Sequence, residues 1–114
     1  MKAYTDIEQS KKLAKILPLE SADMRFCFSH TLSGRTIGHY PMIGREPSSG
    51  TIPCWSLSAL LNVLPKIVNN ETLFVETSPS LWHIGYRNVY IARGVDLIDT
   101  CYKLILKLHE LKLL

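Results

Sequence analysis

The segment 96–114 predicts a helix whose apolar surface covers more than half of its circumference. At about 100° per residue, one apolar stripe comprises Leu97, Ile98, Cys101, Leu104, Ile105, Leu108 and Leu111. Asp96 is the expected N-cap and Asp99 is in the third helical position. The apolar surface continues over a second flank, and a single sheet face cannot cover both surfaces.

Two alternatives account for this second flank. Either the N-terminal helix covers it, with Leu13 and Leu17 packing against the flank, or the flank contacts another protein or a second copy of the chain. The candidate protein interface therefore consists of Tyr102, Leu106, His109 and Leu113.

Shorter patterns predict the other two helices. Residues 5–8 (TDIE) fit a capping box with Thr5 as the N-cap, and Pro18 ends this first helix. Residues 54–64 lie between two prolines and predict a helix of about three turns. Its expected buried stripe comprises Leu57, Leu60, Leu61 and Leu64.

Period-two alternation of apolar residues predicts the strands. They span residues 22–28, 72–76, 81–87 and 88–92. Residues 29–50 hold four of the six glycines and predict a hairpin or an irregular excursion, with a short strand at 36–43.

The predicted element order is α-β-(β)-α-β-β-α. Strands joined by short turns favour antiparallel pairing, and helices must cover the apolar face of such a sheet. The expected fold class is therefore α+β, a small mostly antiparallel sheet packed against three helices. We expect residues 1–114 to form a single domain.

Three stretches, together with the C-terminal helix, carry a recognisable pattern: TDIEQSKKL at 5–13, ESADM at 20–24 and IPCWSLSALL at 52–61. They resemble a family of small uncharacterised proteins encoded by phages and mobile elements of gut bacteria. In that family a strand bearing a tryptophan, as at Trp82, precedes a final helix that opens with a motif similar to Val95-Asp96. The resemblance implies an accessory protein in a bacterial cytoplasm, and it carries over no function and no site residues.

The composition favours a folded globular protein over a disordered one. The 114 residues are 46% hydrophobic and 20% charged, which is typical of a folded globule. The N-terminus lacks the apolar core of a signal peptide, and no stretch has the uninterrupted apolar length of a membrane span. Three cysteines without a C-x-x-C pair indicate reduced thiols. We therefore expect a cytoplasmic protein that does not enter a membrane.

Cys54 is the strongest candidate for chemistry in the sequence. It is placed at the predicted start of the middle helix, where the helix dipole lowers the pKa of a thiol. His39 or His83 is a candidate general base. The alternative is a buried structural thiol, because cysteine is among the most commonly buried residue types. No metal or cofactor motif accompanies it, so we expect neither.

A locally basic region spans residues 24–52 and suggests a nucleic-acid contact. Its candidate contact residues are Arg25, Arg35 and Arg45. The net charge of +3 is small for a dedicated nucleic-acid binder.

The leading expectation is a non-enzymatic adaptor that associates with another protein or with itself. A nucleic-acid-associated protein and a cysteine-dependent enzyme centred on Cys54 are the two alternatives.

Overall fold

The computed structural model describes residues 2–30, 36–43 and 51–114, with side chains described for residues 2–26 and 51–114. Its helices are α1 (Ile7–Leu13), α2 (Leu57–Val63) and α3 (Leu97–Glu110), with a short 3-10 turn at Leu19–Ser21. Its strands are β1 (Met24–His30), β2 (Thr36–Ile43), β3 (Ile52–Cys54), β4 (Ile67–Val68), β5 (Glu71–Thr72), β6 (Phe74–Thr77), β7 (Trp82–Tyr86) and β8 (Tyr90–Gly94). This order confirms the predicted α+β class, including the strand at 36–43.

The described strands form three small antiparallel sheets rather than the single sheet that was predicted. Their orders are β2-β1-β3, β4-β5 and β6-β7-β8. Strand β3 pairs only with the first part of β1, Met24 to Phe26. From there to His30, the described pairing of β1 is with β2, as a two-stranded ribbon.

Helix α3 has the predicted cap and the predicted buried stripe. The Asp96 carboxylate accepts a hydrogen bond from the Asp99 backbone N–H at 3.1 Å. The stripe is buried at Leu97, Ile98, Cys101, Leu104, Ile105 and Leu108. Leu111 was predicted to be buried and is 43% exposed, because α3 ends at Glu110 and Leu111 follows its last turn. Helix α3 packs on β7 and β8, and α2 packs against α3.

The alternation in β7 was read correctly. Ile84 pairs with Ala92 of β8, and both are buried in the core under α3. Tyr86 is fully buried on the same face, and its hydroxyl donates a hydrogen bond to the Pro65 carbonyl oxygen. Trp82, at the start of the strand, is partly buried against the core. Helix α3 therefore packs on one face of this sheet.

A hairpin that was not predicted joins α2 to the last sheet. Asn69 and Asn70 have φ angles of 50° and 66° between β4 and β5. Positive φ at both central residues is the requirement of a type I′ turn, and asparagine tolerates it well. The predicted strand 72–76 is consequently divided between β5 and β6. Between these two strands, the Leu73 backbone N–H donates a hydrogen bond to the Lys66 carbonyl oxygen.

The predicted cap of α1 was wrong by one residue. Asp6 is the N-cap, and it forms a capping box with Gln9 through hydrogen bonds of 2.8 and 3.1 Å. Thr5 is instead fully buried, and its hydroxyl accepts from the Trp55 backbone N–H at 3.1 Å. Thr5 therefore bonds to Trp55, which is distant in the sequence, instead of capping the helix as the local pattern predicted.

The predicted start of α2 was also wrong. The helix begins after Ser56, whose hydroxyl accepts from the Ala59 N–H at 3.2 Å. Cys54 is the last residue of β3, not the first of a helix. Within α2, Leu60 is fully buried as expected, whereas Leu61 is only partly buried.

In the described part of the chain, no helix combines the length and the apolar content that a bilayer crossing requires.

Candidate functional site: an apolar groove beside a lysine-lined cleft

An apolar groove lies between the segment that follows α1 and helix α2. Its volume is about 610 Å³. It is lined by Ile16, Leu17, Pro18, Glu20, Ser21, Ala59, Asn62, Val63 and Leu114. Helix α1 ends at Leu13, not at Pro18 as predicted, and a turn continues the chain from there. Pro18 disfavours helical geometry at Leu17, which keeps the following segment from resuming the helix. The small side chain of Ala59 on the opposite wall leaves the space open.

Hydrogen bonds hold the wall that carries Ser21. The Trp55 indole N–H donates to the Ser21 hydroxyl at 3.0 Å, and that hydroxyl donates to the Pro18 carbonyl. Trp55 is fully buried beneath this wall, and its indole is part of the core. These two bonds, one partly buried and one exposed, hold the Ser21 side chain between Trp55 and Pro18.

The other wall is fixed by Asp23. Its carboxylate accepts the Ser56 backbone N–H at 3.0 Å and also the Ser56 hydroxyl. Since Ser56 caps α2, Asp23 ties the start of that helix to the segment leading into β1. The groove is thus a preformed feature of the fold, as binding sites for apolar groups usually are.

A smaller cleft lies where α1 approaches α3. It has a volume of about 340 Å³ and is lined by Glu8, Lys11, Lys12, Lys15 and Tyr102. The three lysines are exposed. Burial raises the pKa of Tyr102, and the nearby carboxylates of Asp6 and Glu8 raise it further. Lys15 and Ile16 are consecutive residues, so the lysine cleft and the apolar groove adjoin along the chain.

The acidic side chains at the start of α1 and α3 already have partners. Lys2 Nζ lies 3.1 Å from Asp6 Oδ2 and 2.7 Å from Asp99 Oδ1. Gln9 Nε2 donates to the same Asp99 oxygen at 2.8 Å, and the Lys2 backbone N–H donates to Asp96 at 2.7 Å. These contacts join the N-terminal segment to α3 and give each of these carboxylates a hydrogen-bond donor.

Cys54 lies in a buried polar cluster rather than at a reactive position. Its thiol donates to the Thr5 carbonyl oxygen at 3.4 Å, and the Thr5 hydroxyl is 2.8 Å from that of Ser10. All three residues are fully buried. Burial raises the pKa of the Cys54 thiol and outweighs the opposing hydrogen bonds from Thr5 and Ser10. The shift is opposite to the activation expected at a helix start.

Neither candidate base is shown beside this thiol. His83 Nε2 is 3.2 Å from the Ser78 hydroxyl, and the side chain of His39 lies outside the described part. Within residues 2–26 and 51–114, no group of three or more histidine, cysteine or acidic residues is arranged to hold a metal ion.

The predicted protein-interface residues occupy different environments. Tyr102 lines the lysine cleft next to α1, while Leu113 packs partly buried against the core. Leu106 is partly buried and His109 is exposed. Tyr102 therefore lies beside the polar side of α1, and the choice between the two alternatives for this flank stays a prediction.

Of the three predicted nucleic-acid contacts, the structure describes only Arg25. It is partly buried on β1, opposite Met42 of β2 and Pro53 of β3. Arg35 and Arg45 lie outside the described residues.

The groove was not predicted from the sequence. Ala59 and Val63 lie one turn apart on α2, beside the predicted leucine stripe. That spacing was a local signal for a second apolar face. The opposite wall follows from the path of the chain after Pro18, which no local pattern predicts.

No protein-family model, no curated protein and no solved structure matches the chain.

Proposed function

We propose that this protein is a non-enzymatic adaptor, and that its groove binds an apolar helical segment of another protein. The observation that carries the proposal is the open groove between residues 16–21 and α2, with Ile16, Val63 and Leu114 accessible in its lining. Each leucine-sized side chain that becomes buried contributes about 1.5–3 kcal/mol. Two or three such anchors would support a modest affinity after the costs of association.

Trp55 makes the proposal directly measurable. The chain has two tryptophans, so Trp82→Phe leaves Trp55 as the only indole. Its N–H is bonded to Ser21, which lines the groove. Titration with short amphipathic helical peptides bearing spaced leucines should therefore shift and saturate the emission of Trp55.

A pair of variants tests the location. Val63→Glu places a charge in the groove and should abolish binding. Val95→Glu is the matched control, because Val95 is 80% exposed outside this groove and should tolerate the change. Equal binding by both variants, or no saturable response to any leucine-bearing peptide, would refute the groove as the binding site.

A second candidate function is an accessory role on nucleic acid. Its support is the β1–β2 ribbon, since a two-stranded ribbon fits the major groove of DNA. Arg35→Ala with Arg45→Ala should weaken binding to mixed-sequence DNA and reduce the salt dependence by about two units of slope. Unchanged affinity in this double variant would remove the region from consideration.

The proposed adaptor belongs to the cytoplasm of a bacterium, as an accessory protein of a phage or mobile element. The support for that setting is the resemblance of residues 5–13, 20–24 and 52–61 to such proteins. A second copy of the chain is an alternative partner, which sedimentation at increasing concentration would detect.

A further inference from the structure

The lysine cleft indicates which charge a segment bound in the proposed groove should carry. Lys11 and Lys12 lie in the last turn of α1, and Lys15 lies in the turn that continues it. Basic residues in a last helical turn interact favourably with the helix dipole, which accounts for Lys11 and Lys12. Lys15 lies beyond the helix and four residues after Lys11, a spacing at which like charges are mildly unfavourable on a helix.

These lysines have no acidic partner among the described residues. The described ion pairs engage Lys2, Arg87 and Lys107. Glu8 lines the same cleft but is not within ion-pair distance of any of the three lysines. The cleft lining therefore holds three lysines against one glutamate, an excess of positive charge.

The positive cleft and the apolar groove adjoin at two consecutive residues. Lys15 lines the cleft and the next residue, Ile16, lines the groove. A segment bound in the groove can therefore extend past Ile16 into the cleft. The groove lining contains a single charged side chain, that of Glu20. A segment bound in the groove would therefore meet positive charge only at the end next to the lysine cleft.

We infer that the partner segment carries acidic side chains next to its apolar ones, and that Lys11, Lys12 and Lys15 bind them. This inference rests on the proposed function, because it assumes an apolar segment in the groove. The lysines select the partner and its orientation, with the acidic residues at the α1 end. Ion pairs at a solvated rim act mainly on association rate and specificity.

The test compares two peptides with the same spaced leucines. One is flanked on one side by glutamates and the other by lysines at the same positions. The glutamate peptide should bind the wild-type protein roughly tenfold more tightly, since each exposed pair contributes a small factor. The preference should shrink as salt is raised, because exposed charges are screened.

Two triple variants locate the charge effect. Lys11→Gln with Lys12→Gln and Lys15→Gln should remove the preference between the peptides. The matched control, Lys66→Gln with Arg93→Gln and Lys112→Gln, removes the same net charge from exposed positions elsewhere and should preserve it. Circular dichroism establishes that both variants remain folded before affinities are compared.

The outcomes separate the inference from the function on which it rests. Equal affinity for the two peptides, with Val63→Glu abolishing both, would keep the groove and overturn the acidic partner. Failure of both peptides to bind would overturn the groove and this inference with it. Salt-sensitive binding of a single-stranded oligonucleotide, lost only in the first triple variant, would assign the lysines to phosphates and overturn the acidic partner.

Discussion

Gly94 lies directly against the side chain of Thr100. A β-carbon built on Gly94 would be 2.5 Å from Thr100 Oγ1, and that hydroxyl donates to the Asp96 carbonyl oxygen at 2.6 Å. Thr100 is fully buried, so its hydroxyl cannot move without losing this bond. The contact sets how closely the first turn of α3 approaches the end of β8.

Gly94→Ala should therefore lower the free energy of unfolding by about 1–3 kcal/mol, the usual cost of overpacking. In a Thr100→Ala background the same substitution should cost less, because the obstructing oxygen is absent. Urea titration of the four proteins in a double-mutant cycle measures this coupling. Strict additivity would show that the close approach does not limit the packing.

The buried hydroxyl of Tyr86 predicts a loss of stability at alkaline pH. Burial raises the pKa of Tyr86 from 10.0 to about 12. A raised pKa stabilises the fold below the unfolded value, and this contribution is lost as pH rises from 10.0 towards 12. Tyr86→Phe should be about 1 kcal/mol less stable near neutral pH, because it lacks the bond to Pro65. Its stability should then fall less steeply above pH 10, and curves that stay parallel would contradict this account.

Lys2 should stabilise the attachment of the N-terminal segment in a pH-dependent way. Burial raises the pKa of Asp99, but hydrogen bonds from Lys2 and Gln9 and the Lys2 charge lower it overall. The contribution is therefore present above the ordinary value of 3.8 and lost as pH falls below it. The hydrogen bond with Asp99 raises the pKa of Lys2 above 10.5, so the contribution is also lost in strong alkali.

Lys2→Ala should consequently cost at most about 1 kcal/mol near neutral pH, because the partners are exposed and screened. The difference from wild type should narrow in acid and in high salt. Lys66→Ala is the control, since Lys66 is exposed and forms none of the described ion pairs. A deficit that persists unchanged at pH 2 would indicate lost packing rather than lost charge.

The buried thiols should resist alkylation in the folded protein. Burial raises the pKa of Cys54, and it raises the pKa of Cys101 to about 12. Since the thiolate is the reactive form, iodoacetamide at pH 8 should label both residues only on unfolding. Ser58→Cys, at an exposed position of α2, is the positive control. Rapid labelling of Cys54 in the native protein, located by peptide mapping, would restore the case for a reactive thiol.

Leu106→Glu tests which alternative holds for the second flank of α3. Because Tyr102 lines a cleft with α1 and Leu113 packs on the core, we expect an internal position. The variant should unfold at lower urea, by at least about 1 kcal/mol, with an unchanged mass by light scattering. Leu111→Glu, at a side chain that is 43% exposed, should be nearly neutral. A Leu106→Glu protein that stays fully stable but loses mass would identify an interface between copies.

Local patterns in the sequence were sufficient for the parts of the fold that depend on near neighbours. The cap at Asp96 and the buried stripe of α3 were both predicted, because residues three and four apart share a helix face. The alternation around Ile84 was equally informative, since side chains of a strand alternate between faces.

Tertiary structure decided the features that depend on distant residues. Thr5 matches the pattern of an N-cap, but its hydroxyl is hydrogen-bonded to Trp55 and Ser10. Asp6 caps α1 instead. Cys54 is followed by a helical pattern, yet pairing with Met24 places it in β3. Such partners are separated along the chain and meet only after folding, so helix and strand propensities cannot encode them.

The candidate site shows the same division. The sequence alone places Lys11, Lys12 and Lys15 within five consecutive residues. Only the folded chain placed Tyr102 among them and set Ile16 and Val63 on opposite walls of a groove. A groove is a relation between two surfaces, and the position of each surface depends on the packing of the whole core.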